Sequence, residues 1–141
     1  MKYWDASALV PLVVAEPGTA EVRAVLRADP EVVTWGWSLV EIVSAVERRA
    51  REGRLDMEHR RLVLDRFERL AQQWDEVVDP MAVRARALGV LARHDLRAAD
   101  AGQLAAALVV NDGGPAVDFV CLDRRLSLAA EREGLRSVGL G

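Results

Sequence analysis

Cysteine, lysine and asparagine are almost missing from this chain. Cys121 is the single cysteine in 141 residues. No intramolecular disulfide can form, and there is no CxxC pair or Cys/His zinc spacing. A reducing cytoplasm is the expected compartment. Lys2 is the only lysine among 19 Lys plus Arg. This excludes a GxxxxGK[ST] phosphate-binding loop and any site that needs a lysine beyond position 2. Excess positive charge is also lacking: 22 Asp plus Glu leave a formal net charge of -3. A generally basic coat for nucleic acid is therefore excluded, whereas a local basic patch is not. No apolar run approaches the ~20 residues of a membrane span. Residues 1–15 lack the basic start of a signal peptide.

What is present reads as one domain over residues 1–141, long enough to enclose a core without a disulfide or structural metal. Met1-Lys2-Tyr3-Trp4 predicts a short strand ending at Asp5. Ser7 is the expected cap of a helix from Ala8 to about Glu16, stopped by Pro17-Gly18. Thr19 opens a second helix with Val22, Val25 and Leu26 on one face. Val32-Val33-Thr34 is a β-branched strand. Ser38-Leu39-Val40-Glu41 has the form of a capping box, before a helix that Gly53 stops. Residues 55–74 form an amphipathic helix with Leu62, Phe67 and Leu70 inward. A strand over 76–78, a helix from Met81 to about His94 and an alanine-rich helix to about Val110 follow. Asn111-Asp112-Gly113-Gly114-Pro115 is a turn. Val117 to Leu122 is a strand ending at Asp123. Leu126 to Glu133 is a helix, and Arg136 to Val138 a last strand, with no element expected beyond. Short apolar strands alternating with helices predict a parallel sheet covered on both faces.

In such a sheet, ligands bind beyond the carboxyl ends of the strands. Asp5 and Asp123 each follow a strand. Asp100 and Glu41 lie in the first turns of helices whose N-termini face the same edge. Asp118 opens the strand that Asp123 closes and falls on the far edge. Four converging carboxylates raise one another's pKa and suit a hard, oxygen-seeking cation such as Mg²⁺ or Mn²⁺. Two such ions would clamp the attacking and leaving oxygens of a phosphodiester. Three of the acids also have a plainer explanation, and Asp5, between an apolar strand and a small apolar segment, is the hardest to dismiss. Asp100 can serve the helix dipole, Glu41 can complete a capping box with Ser38, and Asp123 can start a turn.

The order and spacing of these motifs are similar to those of PIN-domain ribonucleases. Tyr3-Trp4-Asp5-Ala6-Ser7-Ala8-Leu9-Val10 resembles the family's opening motif, and Ser38-Leu39-Val40-Glu41 its second acidic motif. Leu96 to Ala101 with Ala105-Ala106 resembles the third, and Phe119 to Leu126 the fourth. The compact length resembles that of the VapC toxins of type II toxin–antitoxin pairs. The resemblance implies an α/β, three-layer fold: a central parallel sheet of four to five short strands with helices on both faces. It implies an Mg²⁺- or Mn²⁺-dependent endoribonuclease in which Asp5, Glu41, Asp100 and Asp123 form the metal-binding set and Ser7 supports the first acid. It also implies a homodimer and a cognate antitoxin partner. One position departs from the pattern. The family usually carries Thr or Ser two residues before the last acid, and here Cys121, a weaker hydrogen-bonding group, stands there.

Other features add possible contacts to RNA. Arg124 and Arg125 follow the last acid directly and are candidate phosphate contacts. The arginine-rich stretch over 47–69 carries eight Arg and six acids; it predicts a solvated surface of i,i+4 ion pairs, with a phosphate-positioning rim for RNA as the functional alternative. Trp35 and Trp37 can stack on splayed bases or pack in a loop. His59 and His94 are assigned to no metal. The alternative from another class is a non-catalytic PIN-like module that binds RNA or protein. A haloacid-dehalogenase-type phosphohydrolase fits less well, because Ser7 stands where that chemistry needs a second acid.

Overall fold

The computed structural model describes residues 1–138; residues 139–141, where no element is expected, lie outside it. The elements run β1 (Lys2–Trp4), α1 (Ala6–Val13), α2 (Thr19–Ala28), β2 (Val32–Trp35), α3 (Ser38–Arg51), α4 (Met57–Ala71), β3 (Asp75–Val77), α5 (Pro80–Arg93), α6 (Ala98–Gly113), β4 (Asp118–Val120), α7 (Arg124–Arg132) and β5 (Arg136–Ser137). Five strands form one parallel sheet in the order β3-β2-β1-β4-β5. The strand-end acids therefore share an edge, because β1 lies between β2 and β4 and all three point the same way.

Alternation along the strands divides the core in two. Tyr3, Val33 and Phe119 face α5, α6 and α7, with the rings of Tyr3 and Phe119 stacked at 5.7 Å and 7°. Trp4, Val32 and Val120 face α1 to α4, where they meet Leu9, Val22, Ile42 and Phe67. The aromatic β1 strand, fully buried at Tyr3 and Trp4, joins both layers.

Several boundaries differ from the sequence reading. Asp5, not Ser7, is the N-cap of α1: its carboxylate accepts from Ser7 N at 3.1 Å, so the helix begins at Ala6. It also ends at Val13, short of the expected Glu16. The turn expected at Asn111 is delayed. α6 continues through Gly113, and Asn111 Oδ1 instead accepts from Val117 N at 3.1 Å, holding the returning chain. β4 stops at Val120, so Cys121 and Leu122 form the approach to Asp123. On α4 the inward face is Val63, Phe67 and Leu70, which pack in the α1–α4 layer. Leu62 is exposed, one position off that stripe. The arginine-rich stretch is tied between elements rather than along one helix: Arg60 pairs with Glu47, and Arg49 with Glu16.

Trp35, at the end of β2, lies directly against Gly102 on α6; a Cβ at 102 would overlap the indole ring. A small residue there sets how closely α6 approaches β2. Gly102→Ala is expected to destabilise the fold by about 1–3 kcal/mol of overpacking, less the helix-propensity gain of up to ~1 kcal/mol. Urea unfolding measures this, and wild-type or greater stability would show that the contact does not limit the packing.

Candidate active site

The carboxyl edge of the sheet opens into a cleft of about 740 Å³. Asp5, Glu41, Asp100 and Asp123 all line it, with Ser7, Trp37, Arg48, Arg97 and Arg125. Each acid arrives on the N-terminus of a different helix. Asp5 caps α1 and Asp123 caps α7, while Glu41 and Asp100 lie in the first turns of α3 and α6. Helix N-termini carry partial positive charge, which favours carboxylates placed there.

Three of the four acids have one oxygen committed to the fold. Asp5 Oδ2 accepts from Ser7 N and from the Ser7 hydroxyl. Asp123 Oδ1 accepts from Leu126 N at 3.1 Å. Glu41 Oε2 accepts from Gln103 Nε2. No hydrogen bond from the described residues reaches the other oxygen of any of them, or Asp100. Ser7 also accepts from Leu122 N at 3.0 Å, so it ties the first acid to the chain leading to the last. The capping-box explanation of Glu41 does not hold. Trp37 is the N-cap of α3, and the Ser38 hydroxyl is buried among Thr34 and Gln103.

Desolvation is the main electrostatic feature. Burial pushes the Asp5 carboxyl up, against the hydrogen bonds from Ser7 and Cys121, and Asp100 adds repulsion. Burial likewise raises Glu41, from an ordinary 4.5 to about 7, with Asp5 and Asp100 reinforcing it. Asp100 is raised by burial and by Asp123, with Arg97 and Arg125 opposing.

Cys121 occupies the ground between the first and last acids. Its Sγ lies 3.4 Å from Asp5 Oδ2 and 3.5 Å from Ser7 Oγ, and it accepts from Asp123 N at 3.3 Å. Burial and the neighbouring Asp5 push its thiol well up, which keeps it protonated. The sulfur thus makes the links open to a hydroxyl at that position, at longer range.

The donor set suits a hard divalent cation in kind and charge: carboxylate oxygens, several without a partner, in a desolvated cleft with mutual repulsion to relieve. Among the described residues, however, no three His, Cys, Asp or Glu side chains stand together closely enough to hold an ion. The acids line one cleft without forming a closed ligand cage.

The remaining predicted contacts divide. Arg125 lines the cleft, whereas Arg124 lines a separate hollow beside Ser127, Leu128 and Glu131. Trp37 is 54% exposed on the rim, while Trp35 is packed against Gly102. Asp118 is at the far edge in an ion pair with Arg136, as its strand position requires. His59 caps with Asp56 and His94 bonds Glu133. Sequence reasoning overlooked Gln103 and Arg97; Arg48, from the stretch read as a solvated surface or a phosphate rim, lines the cleft. Gln103 has a detectable signal, being the one polar side chain between Asp100 and Asn111 in an apolar helix.

Residues 2–131 match the PIN domain. The chain belongs to the PIN-domain family. The fold is also similar to that of a chain in the crystal structure of FitAcB from Neisseria gonorrhoeae, with a TM-score of 0.70. That match has 16% sequence identity and covers 99% of this chain and 97% of the other. No curated protein matches the sequence. No helix of the described residues in this PIN domain is long and apolar enough to cross a membrane.

The raised carboxyls have a pH consequence. Folded Glu41 holds its proton to higher pH than the unfolded chain does. Between its ordinary 4.5 and about 7 the native state therefore binds more protons, and stability falls as pH rises. Without added metal, the melting temperature is expected to fall across that window. Glu41→Gln should reduce the slope. Exposed His59, raised by Asp56, titrates in the same direction, so the wild-type-minus-variant difference is the diagnostic quantity. Equal slopes would mean that Glu41 is not desolvated.

Proposed function

We propose that this PIN domain is a metal-dependent endoribonuclease, hydrolysing RNA phosphodiester bonds with Mg²⁺ or Mn²⁺ held by Asp5, Glu41, Asp100 and Asp123. The observation that carries the reading is the convergence of these four acids, from four helix N-termini, on one cleft rimmed by Arg48, Arg97 and Arg125. When bound, the metal supplies Lewis acidity toward the phosphodiester and acidifies water at neutral pH. The chain's own part is to bind and orient. The carboxylates supply oxygen ligands, and Ser7 and Cys121 hold Asp5 in place. The arginines attract the flanking phosphates, contacts that position RNA without reading its sequence. Trp37 offers an exposed ring on which an unstacked base can lie.

The biological setting follows from the motif resemblance. We place the protein as a VapC-like toxin in the cytoplasm, acting as a homodimer and restrained by a cognate antitoxin protein. A second reading, a PIN-like module that binds RNA or protein without cutting, is favoured by two observations: sulfur replaces the usual hydroxyl at Cys121, and no three acids are gathered into a cage.

Purified protein incubated with a mixed RNA pool and Mg²⁺, Mn²⁺ or EDTA separates the two. The nuclease reading expects discrete fragments that require metal. It also expects cleavage to drop by more than about 100-fold in Asp5→Asn and Asp100→Asn, beyond the usual 10–100-fold loss for an outer-sphere partner. Both variants should remain as stable as wild type, or become more stable, because a desolvated charge is removed. Cleavage that survives EDTA or either substitution would remove this site from the reaction. RNA retention without cleavage would establish the binding module.

A further inference from the structure

Gln103 is fully buried and every polar atom of its amide is engaged. Its Oε1 accepts from the Tyr3 hydroxyl at 2.7 Å. Its Nε2 donates to Ser38 Oγ at 2.9 Å and to Glu41 Oε2. Beyond Ser38 the network continues: Ser38 Oγ lies 2.6 Å from Thr34 Oγ1, and Thr34 Oγ1 donates to the Trp4 carbonyl at 2.7 Å.

The protons in this network can be placed by elimination. Thr34 has one hydroxyl proton, and the Trp4 carbonyl can only accept, so that proton is used there. The proton between Thr34 and Ser38 must therefore come from Ser38. Ser38 is then left to accept from the third partner, which requires the NH₂ end of Gln103 to face it. The reversed amide would claim the Ser38 proton for Oε1. It would leave the Thr34 and Ser38 oxygens together without a proton and turn an acceptor toward the Glu41 carboxylate. The hydroxyl chain thus fixes which way the amide points, and the Tyr3 hydroxyl anchors its oxygen end. Burial makes each of these bonds costly to leave unmade.

We infer that Gln103 is a positioning residue for Glu41: an amide oriented by the Thr34–Ser38 chain and anchored by Tyr3 engages Oε2 and leaves Oε1 available for the cation. This rests on the metal-site reading above and adds to it the device that aims one of the ligands. Four elements of the fold meet in that device. Tyr3 comes from β1, Thr34 and Ser38 from the β2–α3 junction, and Gln103 from α6, one turn beyond Asp100. The same turn of α6 therefore supplies one acid directly and holds another through its amide.

The test is Mn²⁺ binding by isothermal titration calorimetry, on wild type, Gln103→Met and Tyr3→Phe, with each variant's metal-free melting temperature recorded. Methionine fills a similar volume but cannot donate. Gln103→Met is expected to weaken Mn²⁺ binding by about 10–100-fold, the usual effect of losing an outer-sphere partner. Tyr3→Phe keeps the Gln103 amide and removes only one of its anchors, so it should weaken binding in the same direction by less. A purely structural role would lower the melting temperatures and leave the affinity of the folded protein unchanged, which would overturn the inference. If Gln103→Met does not fold, Tyr3→Phe decides alone, and wild-type affinity there overturns the proposal. Wild-type protein that takes up no Mn²⁺ and cuts no RNA overturns the metal-site reading and this inference together. Wild type that binds and cuts, beside variants that bind equally well, overturns this inference only.

Discussion

The parallel pairing of β1 with both β2 and β4 is the constraint on which the site depends. It sends three strand ends to the same edge and brings the N-termini of α1, α3, α6 and α7 there as well. Three of the four carboxylates on those helix starts, Asp5, Glu41 and Asp100, are a liability in isolation, since desolvation and neighbouring acids oppose their charge. The fold offsets this with the positive ends of the helices that carry them and with Arg48, Arg97 and Arg125 at the rim. The balance is incomplete: Asp5, Glu41 and Asp100 all remain above their ordinary range. A divalent cation bound as proposed would relieve what remains, so the placement that strains the fold is also what the metal-site reading requires.

The hydrogen bonds of the acids show how one side chain serves structure and chemistry together. Asp5 and Asp123 are N-caps, a role that usually explains an Asp at a helix start without any function. Capping occupies one carboxylate oxygen and leaves the other unpartnered. The plain explanation and the functional one therefore do not compete at these two positions. At Glu41 the plain explanation itself fails. The capping-box partner would be the backbone of Ser38, but the observed partner is an amide reaching across from α6.

Much of this was legible along the chain because it follows from local patterns and topology. Alternating apolar strands and helices imply a parallel sheet, and an acid placed just after a strand or in a helix's first turn falls at its carboxyl edge. What was not legible depends on contacts between distant elements. The choice of Asp5 over Ser7 as the cap turns on the Ser7 hydroxyl being needed elsewhere, between Asp5 and Leu122. The continuation of α6 past Asn111 depends on Val117, six residues on, taking up the side-chain oxygen that would otherwise make the turn. Gln103 was overlooked for the same reason: its three partners lie 62 to 100 residues away in sequence. The outward position of Leu62, by contrast, was open to the helical period, since Val63, Phe67 and Leu70 recur at i, i+4 and i+7 and Leu62 falls off that stripe.

Cys121 shows how far the supporting shell can vary. A sulfur contact at 3.3–3.5 Å is longer and weaker than a hydroxyl bond, yet Cys121 still bridges the approach to Asp123 and the capped oxygen of Asp5. Ser7 carries the stronger part of that linkage, through its bond to Leu122 N. With two supports for Asp5, weakening one is tolerable. Glu41 has no such redundancy, since Gln103 is its only hydrogen-bonding partner among the described residues. The two sides of the cleft therefore differ in kind. The Asp5–Asp123 side is held by helix caps, each carboxylate accepting from a backbone N–H of the helix that it opens. The Glu41 side is held by one buried amide whose orientation depends on a hydroxyl chain ending at the Trp4 carbonyl. Fold does not specify side-chain chemistry, so both sides rest on this sequence: Asp5, Ser7 and Asp123 on one, Tyr3, Thr34, Ser38 and Gln103 on the other.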